Sequence, residues 1–446
     1  MRDIDELSRT LTSAFLAPLV PGGLVGLAIP NGPAFLAGFL ALRRNGQTVA
    51  LIDPAAPQDD QNRALLLLGA TGILECRNPW TTSAAQFDVR RIGGPPVPFA
   101  LPNVTAVKLT SGSTGAPRGV ALTGDALLAD EKALATTMGL RDDDRLIASL
   151  PWSHSYGFTT LVLSALVRGL PLLIPGNDDP LAPLTDGGAL AATVLPTVPA
   201  YVQALVRMSN PPALPSTVRL VMTAGAPLPV ATARRFRELY GQPIHVFYGS
   251  SECGGICYDR EGGAGERGTV GTPVDGVRVT LSPLDGLEPG SGVVTVTSAA
   301  TGLTYLPEPD NRLSDGRFQT SDAGTWLDGE LVVERRVDRV INIRGRKVDP
   351  GEVEGVIAQL DGVQEALVFN ASLSNQRDPL VRAVVSCSDP QLTSAGVLAW
   401  CNQRLAAHKV PRTVVLVETI PRTTRGKIDW PAVRALTYTG SGASDA

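Results

Sequence analysis

LVGLAIPNGPAFLAGFLALRRNGQTVALID, residues 24–53, decides the fold class of this chain. LVGLAI (24–29) is a short apolar run of strand type. In NGPAFLAGFLALRRNG, Pro33 sits where a helix's first turn tolerates it, and Gly46 where a helix stops. TVALID (48–53) is a second apolar strand. Strand, helix and strand in one run form a β-α-β unit, which predicts a parallel, doubly wound sheet. The grammar recurs downstream. VRLVMTAGAP (218–227) is a strand entering a glycine turn, PVATARRFRELYG (229–241) an amphipathic helix ending at glycine, and PIHVFYGSSE (243–252) a strand ending in a polar loop.

Two changes of texture follow. From about residue 265 the chain is rich in Val, Thr, Gly and Pro in short alternating runs, which predicts antiparallel strands in a small β-barrel-like part. From 338, DRVINIRGRKVDPGEVEGVIAQL reads as strand, glycine turn and helix, with Asp349 as cap, Pro350 at the first helical position and Glu352 closing a capping box. Strands at 381–388 and 413–418 and a helix near 393–407 complete a small α+β unit. The expected division is a large N-terminal α/β domain over 1–337, a small mobile C-terminal domain over 338–438 and a disordered tail over 439–446.

Composition excludes several classes. The 446 residues are 43% hydrophobic and 18% charged, which is globular and not disordered. Net charge is −4, with no run of cations to favour nucleic acid or an anionic membrane. The apolar stretches are broken by Arg or Pro, so no membrane span is expected. The N-terminal MRDIDELSRTL lacks a signal-peptide core, and five scattered cysteines suit a reducing cytoplasm better than a disulfide framework. Cys253 and Cys257 stand four apart, but without a nearby His or further Cys they make a poor metal site.

Chemistry concentrates in TSGSTGAPRG (110–119). TAVKL (105–109) before it is strand-like, so the loop leaves a strand's C-terminal end, where α/β sheets bind ligands. Gly112, Gly115 and Gly119 let backbone N–H groups approach phosphate oxygens. Thr110, Ser111, Ser113 and Thr114 add hydroxyls, and Arg118 adds charge. The spacing is not that of the common P-loop.

The segment resembles the phosphate loop of the adenylate-forming superfamily: acyl- and aryl-CoA synthetases, adenylation domains of peptide synthetases, and firefly luciferase. The usual lysine is Arg118 here. Four further segments are similar to family motifs, in the family's order: PWSHSYGF (151–158), FYGSSE (247–252), FQTSDAGTW (318–326) with RRVDRVINIRGRKVDPGEVE (335–354), and PRTTRGKID (421–429). The resemblance spans roughly residues 5–435 and is closest to stand-alone acyl- or aryl-CoA, or carrier-protein, ligases.

The resemblance implies a role for each matching residue. The phosphate loop holds the leaving pyrophosphate. Glu252 binds Mg²⁺, as a hard oxygen ligand can. Tyr248 stacks on adenine beside the turn Gly225, Ala226 and Pro227. Ser251 contacts the α-phosphate, and Gly249 belongs to the same nucleotide-binding set. Asp322 accepts from the ribose hydroxyls, Arg336 contacts the ribose, and Lys347 contacts phosphate near the hinge. Two local departures stand here: Ser321 replaces the family's glycine before the aspartate, and Arg335–Arg336 its Gly-Arg pair. Asp338 is the hinge candidate, and Arg344 and Gly345 line a thiol tunnel. Lys427 would bridge the substrate carboxylate and the α-phosphate as charge builds. The candidate catalytic set is Lys427, Glu252 and His154. His154 enters it as a gate lining the acyl pocket, since a carboxylate ionised at neutral pH needs no general base.

The implied reaction is acyl-AMP formation from ATP and a small-molecule carboxylic acid, with Mg²⁺, then transfer to coenzyme A or to the phosphopantetheine of an acyl carrier protein. The segment Trp152-Ser153-His154-Ser155 lacks the aspartate that holds an amino acid's amine, so an aryl or fatty acid is expected. Capture of the adenylate by another nucleophile, and a nucleotide-binding relative without catalysis, stay open as alternatives.

Overall fold

A computed structural model describes residues 2–14, 16, 19, 22–93, 99, 101, 103–111, 117–176, 179–284, 287, 289–337, 341–343, 346–370, 380–387, 389–423 and 428–439. The chain divides into two compact units: residues 1–320 with 324–333, and 321–323 with 334–446.

The β-α-β unit forms as its sequence dictates. Leu24–Ala28 and Thr48–Leu51 are parallel, in register Leu24↔Thr48, and the helix Pro33–Arg44 joins them. Pro33 opens that helix, and its Ala34, Phe35, Leu42 and neighbours are buried against the sheet. Seven strands make up this first sheet, in the order Thr304–Leu306, Pro117–Thr123, Val104–Ser111, Thr48–Leu51, Leu24–Ala28, Gly72–Glu75, Asp88–Arg91. Its four central strands are parallel, and antiparallel strands close both sides.

The second sheet also has seven strands, in the order Thr272–Pro273, Gly254–Tyr258, His245–Ser250, Leu220–Ala224, Val194–Thr197, Leu146–Ile147, Leu172–Leu173. The last five are parallel. One continuous core, including Phe35, Trp152, Phe158, Ile256 and Tyr258, runs between the two sheets. The parallel strands at the heart of both sheets bear out the α/β expectation drawn from residues 24–53. Strands of the Val/Thr/Gly-rich stretch form a five-stranded sheet: Arg278–Ser282, Gly292–Thr297, Arg317–Leu327 and Leu313–Ser314 in that order, with Glu330–Arg336 beside Arg317–Leu327.

The second unit has its own core. Val363–Asn370, Val381–Cys387 and Thr413–Val417 form a three-stranded sheet, the first pair antiparallel and the second parallel. Helices Pro350–Ile357 and Ser394–Arg404 pack on it through Val353, Ile357, Val397 and Cys401. Asp349 caps the first of these helices, accepting from Gly351 N at 2.9 Å. The capping box expected from Glu352 does not close. Its two carboxylate oxygens instead take Lys409 Nζ at 2.6 and 2.7 Å, because an ammonium is a stronger partner than a backbone amide. Of the expected tail, Thr439 ends the helix Trp430–Thr439, and 440–446 lie outside the described residues. Among the described residues no helix is long and apolar enough to cross a membrane.

Candidate active site

The ligand edge is built from strand ends. In the second sheet, Leu220–Ala224 and His245–Ser250 run parallel side by side. Their C-terminal ends release Gly225–Ala226–Pro227, which is exposed, and Ser251–Glu252, which is half-buried. Gly225 has φ +93, a left-handed conformation that L side chains rarely adopt, which explains glycine at that turn. Tyr248 is half-buried and Gly249 exposed on the strand His245–Ser250. A register shift at Tyr248/Gly249 against Gly254–Tyr258 re-aims the strand just before the loop.

The phosphate-type loop is a hairpin tip. Val104–Ser111 returns as Pro117–Thr123 in antiparallel register, Thr110 opposite Arg118. Thr110 Oγ1 donates to the Arg118 carbonyl at 3.5 Å. Gly112, Ser113, Thr114 and Gly115 lie outside the described residues, and so does the Ser111 side chain. The sequence reading of a strand and loop stops short of this return strand.

Arg118 is engaged within the protein. Its Nη1 donates to Asp310 Oδ2 at 3.1 Å, its Nη2 to the Glu308 carbonyl at 3.4 Å, and its guanidinium carbon lies 3.9 Å from the centroid of the Tyr305 ring. Tyr305 in turn donates its hydroxyl to Glu252 Oε1 at 2.9 Å. Asp310 also accepts from Arg312 Nη2 at 2.8 Å, and Arg312 foremost, then Arg118, hold its carboxyl well below the usual range. Burial, then the facing Glu252 carboxylate, pushes the Tyr305 phenol up, so it stays a donor at neutral pH. The result is a chain of contacts, Arg312–Asp310–Arg118–Tyr305–Glu252, from the hairpin base to the candidate metal ligand.

This chain suits a shared cation. The Tyr305 hydroxyl orients Glu252, a hard oxygen donor, through one carboxylate oxygen. Among the described residues no three His, Cys, Asp or Glu side chains gather around one point. One oriented carboxylate without a closed protein cage fits Mg²⁺ that takes its other ligands from phosphate and water. Cys253 and Cys257 are fully buried, and burial raises both thiols, so they are core residues.

His154 is half-buried and precedes Ser155–Gly157, which continues as a π-helical segment, Phe158–Leu163, and an α-helical one, Ser164–Arg168. π-Helical turns are rare and recur at functional sites. Asn31 fixes the entry to this segment, donating to the Leu150 carbonyl at 2.7 Å and accepting from Trp152 N at 2.8 Å.

The remaining candidates belong to the second unit. Asp322 is half-buried on Arg317–Leu327, and Arg336 ends Glu330–Arg336 exposed. Neighbouring Arg335 donates to Asp349 Oδ2 at 3.1 Å. Asp338, Arg344, Gly345 and Lys427 lie outside the described residues, as does the Lys347 side chain. Tyr305, Asp310 and Arg312 are absent from the motif reading. The signal that could have found them is TYLPEPDNR (304–312), an aromatic and a charged turn beside a strand edge.

Fold and site together define an α/β protein whose parallel strands end around one oriented carboxylate and a Ser/Thr/Gly hairpin. Solved structures share that fold over nearly the whole chain. ATP-bound MatB from Rhodopseudomonas palustris superposes with a TM-score of 0.79 at 22% identity, covering 98% of this chain and 92% of that one. o-Succinylbenzoate CoA synthetase from Bacillus subtilis, in complex with its acyl-adenylate intermediate, gives 0.79 at 19% identity, covering 99% and 93%. Residues 1–306 match the AMP-binding enzyme family and residues 352–427 the AMP-binding enzyme C-terminal domain, so the chain belongs to the AMP-binding enzymes. Its relatives include a feruloyl-CoA synthase of Amycolatopsis sp, 27% identical over 95% of this chain and 90% of the relative. An oxalate–CoA ligase of Arabidopsis thaliana is 26% identical over 92% and 88%.

Proposed function

We propose that this protein is an ATP-dependent acid–thiol ligase that activates an aryl or fatty carboxylic acid as acyl-AMP and passes the acyl group to coenzyme A or to a carrier protein's phosphopantetheine. The observation that carries the reading is Glu252, oriented by Tyr305 at the end of a parallel strand and linked through that ring to the base of the Ser/Thr/Gly hairpin. The relatives' names, CoA synthase and CoA ligase, support the thiol acceptor. Five free cysteines suit a cytoplasmic enzyme.

In this reading the substrate carboxylate attacks the α-phosphorus and pyrophosphate leaves. Thr110, Ser111, Gly112, Ser113, Thr114 and Gly115 hold the leaving group, and Arg118 keeps the hairpin's base fixed while they do so. Glu252 would hold Mg²⁺, which supplies neutralising charge to the phosphates. Tyr248 and Gly225–Ala226–Pro227 bind adenine, Ser251 contacts the α-phosphate, and Gly249 belongs to the same nucleotide-binding set. Asp322 with Arg336 binds ribose, Lys347 contacts phosphate, and His154 lines the acid pocket. Lys427 offsets charge on the carboxylate and α-phosphate during attack. The C-terminal unit then turns about Asp338, bringing Arg344 and Gly345 to the thiol path.

The test is acid-dependent exchange of labelled pyrophosphate into ATP, over a panel of aryl and fatty acids, followed by thioester formation with and without coenzyme A. Exchange with one acid class and thioester with coenzyme A are expected. Silence across the panel with intact ATP binding would favour a nucleotide-binding protein without catalysis, and adenylate without thioester a different nucleophile.

A further inference from the structure

One cation in the core has no part in that mechanism. Lys108 sits on Val104–Ser111, in the middle of the first sheet, and is 1% exposed. A lone ammonium in such a place is costly unless it is hydrogen-bonded and charge-compensated. Its Nζ donates to Thr159 Oγ1 at 3.2 Å. Thr159 lies on the π-helical segment after His154. Against the burial that raises its pKa, the Lys108 charge, then the Gly255 N–H and last the Thr159 hydroxyl favour the carboxylate form of Asp130, a buried residue of the helix Gly124–Thr137. Asp130 Oδ1 accepts from Gly255 N at 3.0 Å.

That last bond grips the turn after Glu252. Gly254 has φ +70, and a Cβ there would come within 2.2 Å of Asp130 Oδ1. The backbone is therefore pressed onto the carboxylate as closely as glycine allows. Burial lowers the Lys108 pKa and raises that of Asp130, while each counters the shift in the other. Glu252 and Cys253 also lie within the electrostatic reach of Lys108.

We propose that Lys108 is a positioning residue, which through Thr159 and Asp130 locks the phosphate hairpin, the acid-pocket segment and the Glu252 turn into one register. The relay reaches a strand, a π-helical segment and a turn that are far apart in sequence. Each carries a different part of the proposed site. The inference rests on the reading of Glu252 as the Mg²⁺ ligand, and on no direct contact of Lys108 with substrate.

The test substitutes Mn²⁺ for Mg²⁺ and reads its binding in the presence of ATP, without acid, by electron paramagnetic resonance. Lys108→Met keeps length and removes charge. It should weaken Mn²⁺ binding about tenfold, because Asp130 loses its counter-charge and the buried carboxylate against the turn must shift or take up a proton. Adding Asp130→Asn should restore binding to within about threefold of the parent. The amide oxygen still accepts from Gly255 N, and no buried charge is left over. A folded Lys108→Met that binds Mn²⁺ as the parent does overturns the inference, and so does a double variant no better than the single. Should Lys108→Met fail to fold, Thr159→Val is measured in its place. It removes the hydroxyl that accepts from Lys108 Nζ and should weaken binding about threefold, and unchanged binding overturns the inference. Glu252→Gln separates the two readings. If it weakens Mn²⁺ binding and Lys108→Met does not, only the relay fails. If Glu252→Gln has no effect, the metal reading fails and the relay falls with it.

Discussion

Tyr305→Phe isolates the hydroxyl that orients Glu252. The hydroxyl donates to a carboxylate at 2.9 Å, and hydrogen bonds to charged groups contribute about 1.5–3 kcal/mol. Tyr305 is 4% exposed, but Glu252 is half-buried, and water can replace part of the contact. The lower end of the range applies, about 1.5 kcal/mol, or roughly tenfold in affinity. That agrees with the tenfold to hundredfold cost typical of removing a group that orients a metal ligand. Phe keeps the ring under Arg118, so the cation–π contact at 3.9 Å survives. Tyr305→Leu removes the ring too, losing a further ~0.5–1 kcal/mol of cation–π attraction and leaving a cavity. The assay is the magnesium concentration for half-maximal acid-dependent pyrophosphate exchange, with thermal melting alongside. Tyr305→Phe should raise that concentration about tenfold with little change in melting, and Tyr305→Leu should raise it further and melt earlier. A folded Tyr305→Phe with the parent's magnesium dependence refutes the orienting role.

Asp310→Asn should destabilise the protein at neutral pH, in a way that pH reveals. The folded state depresses the Asp310 pKa from its ordinary 3.8, chiefly through Arg312 and then Arg118. Its stabilisation is therefore complete above that ordinary value and is lost as pH falls through the lower folded value. The melting difference between parent and variant should be constant from pH 6 to 8 and shrink below about pH 4; a difference independent of pH would refute the ionic role. Lys427→Ala should slow adenylation by two to three orders of magnitude, about 3–4 kcal/mol, yet spare thioester formation from supplied acyl adenylate. Gly345→Leu should do the reverse. Single-turnover assays of each half-reaction decide, and loss of the same step in both variants removes the two-orientation mechanism.

What the sequence discloses is what is local in it. The β-α-β unit at 24–53 carries its strands, its helix start and its stop within one window, and the structure builds it as read. The turns at Gly225 and at Glu252 are legible because a strand and its exit are contiguous. Tyr305 is not, because its partners Arg118 and Glu252 meet it only when Thr304–Leu306 pairs with Pro117–Thr123 as the sheet's edge. Residues so distant in the chain leave no periodic trace. Lys108 carries a local signal: one charge in an apolar strand, TAVKL, which a buried central strand cannot accept without compensation. The compensating Asp130 and Thr159 are on separate helical segments, and only the packing brings them together.

The departure from the family's loop lysine gains a physical reason from the same contacts. A lysine at 118 would present one compact charge, able to serve a carboxylate or a ring but poorly suited to both. The planar guanidinium serves both at once: its edge donates to Asp310 and the Glu308 carbonyl, and its face covers Tyr305. Arg312 shares Asp310 from the other side, so the carboxylate is held by two forks. Counted with Glu252, the chain of contacts holds two cations and two anions, so Arg118 is balanced by its own neighbours and stays with them. Arginine at this position thus works as a fixed brace, held at once by Asp310, the Glu308 carbonyl and the Tyr305 ring.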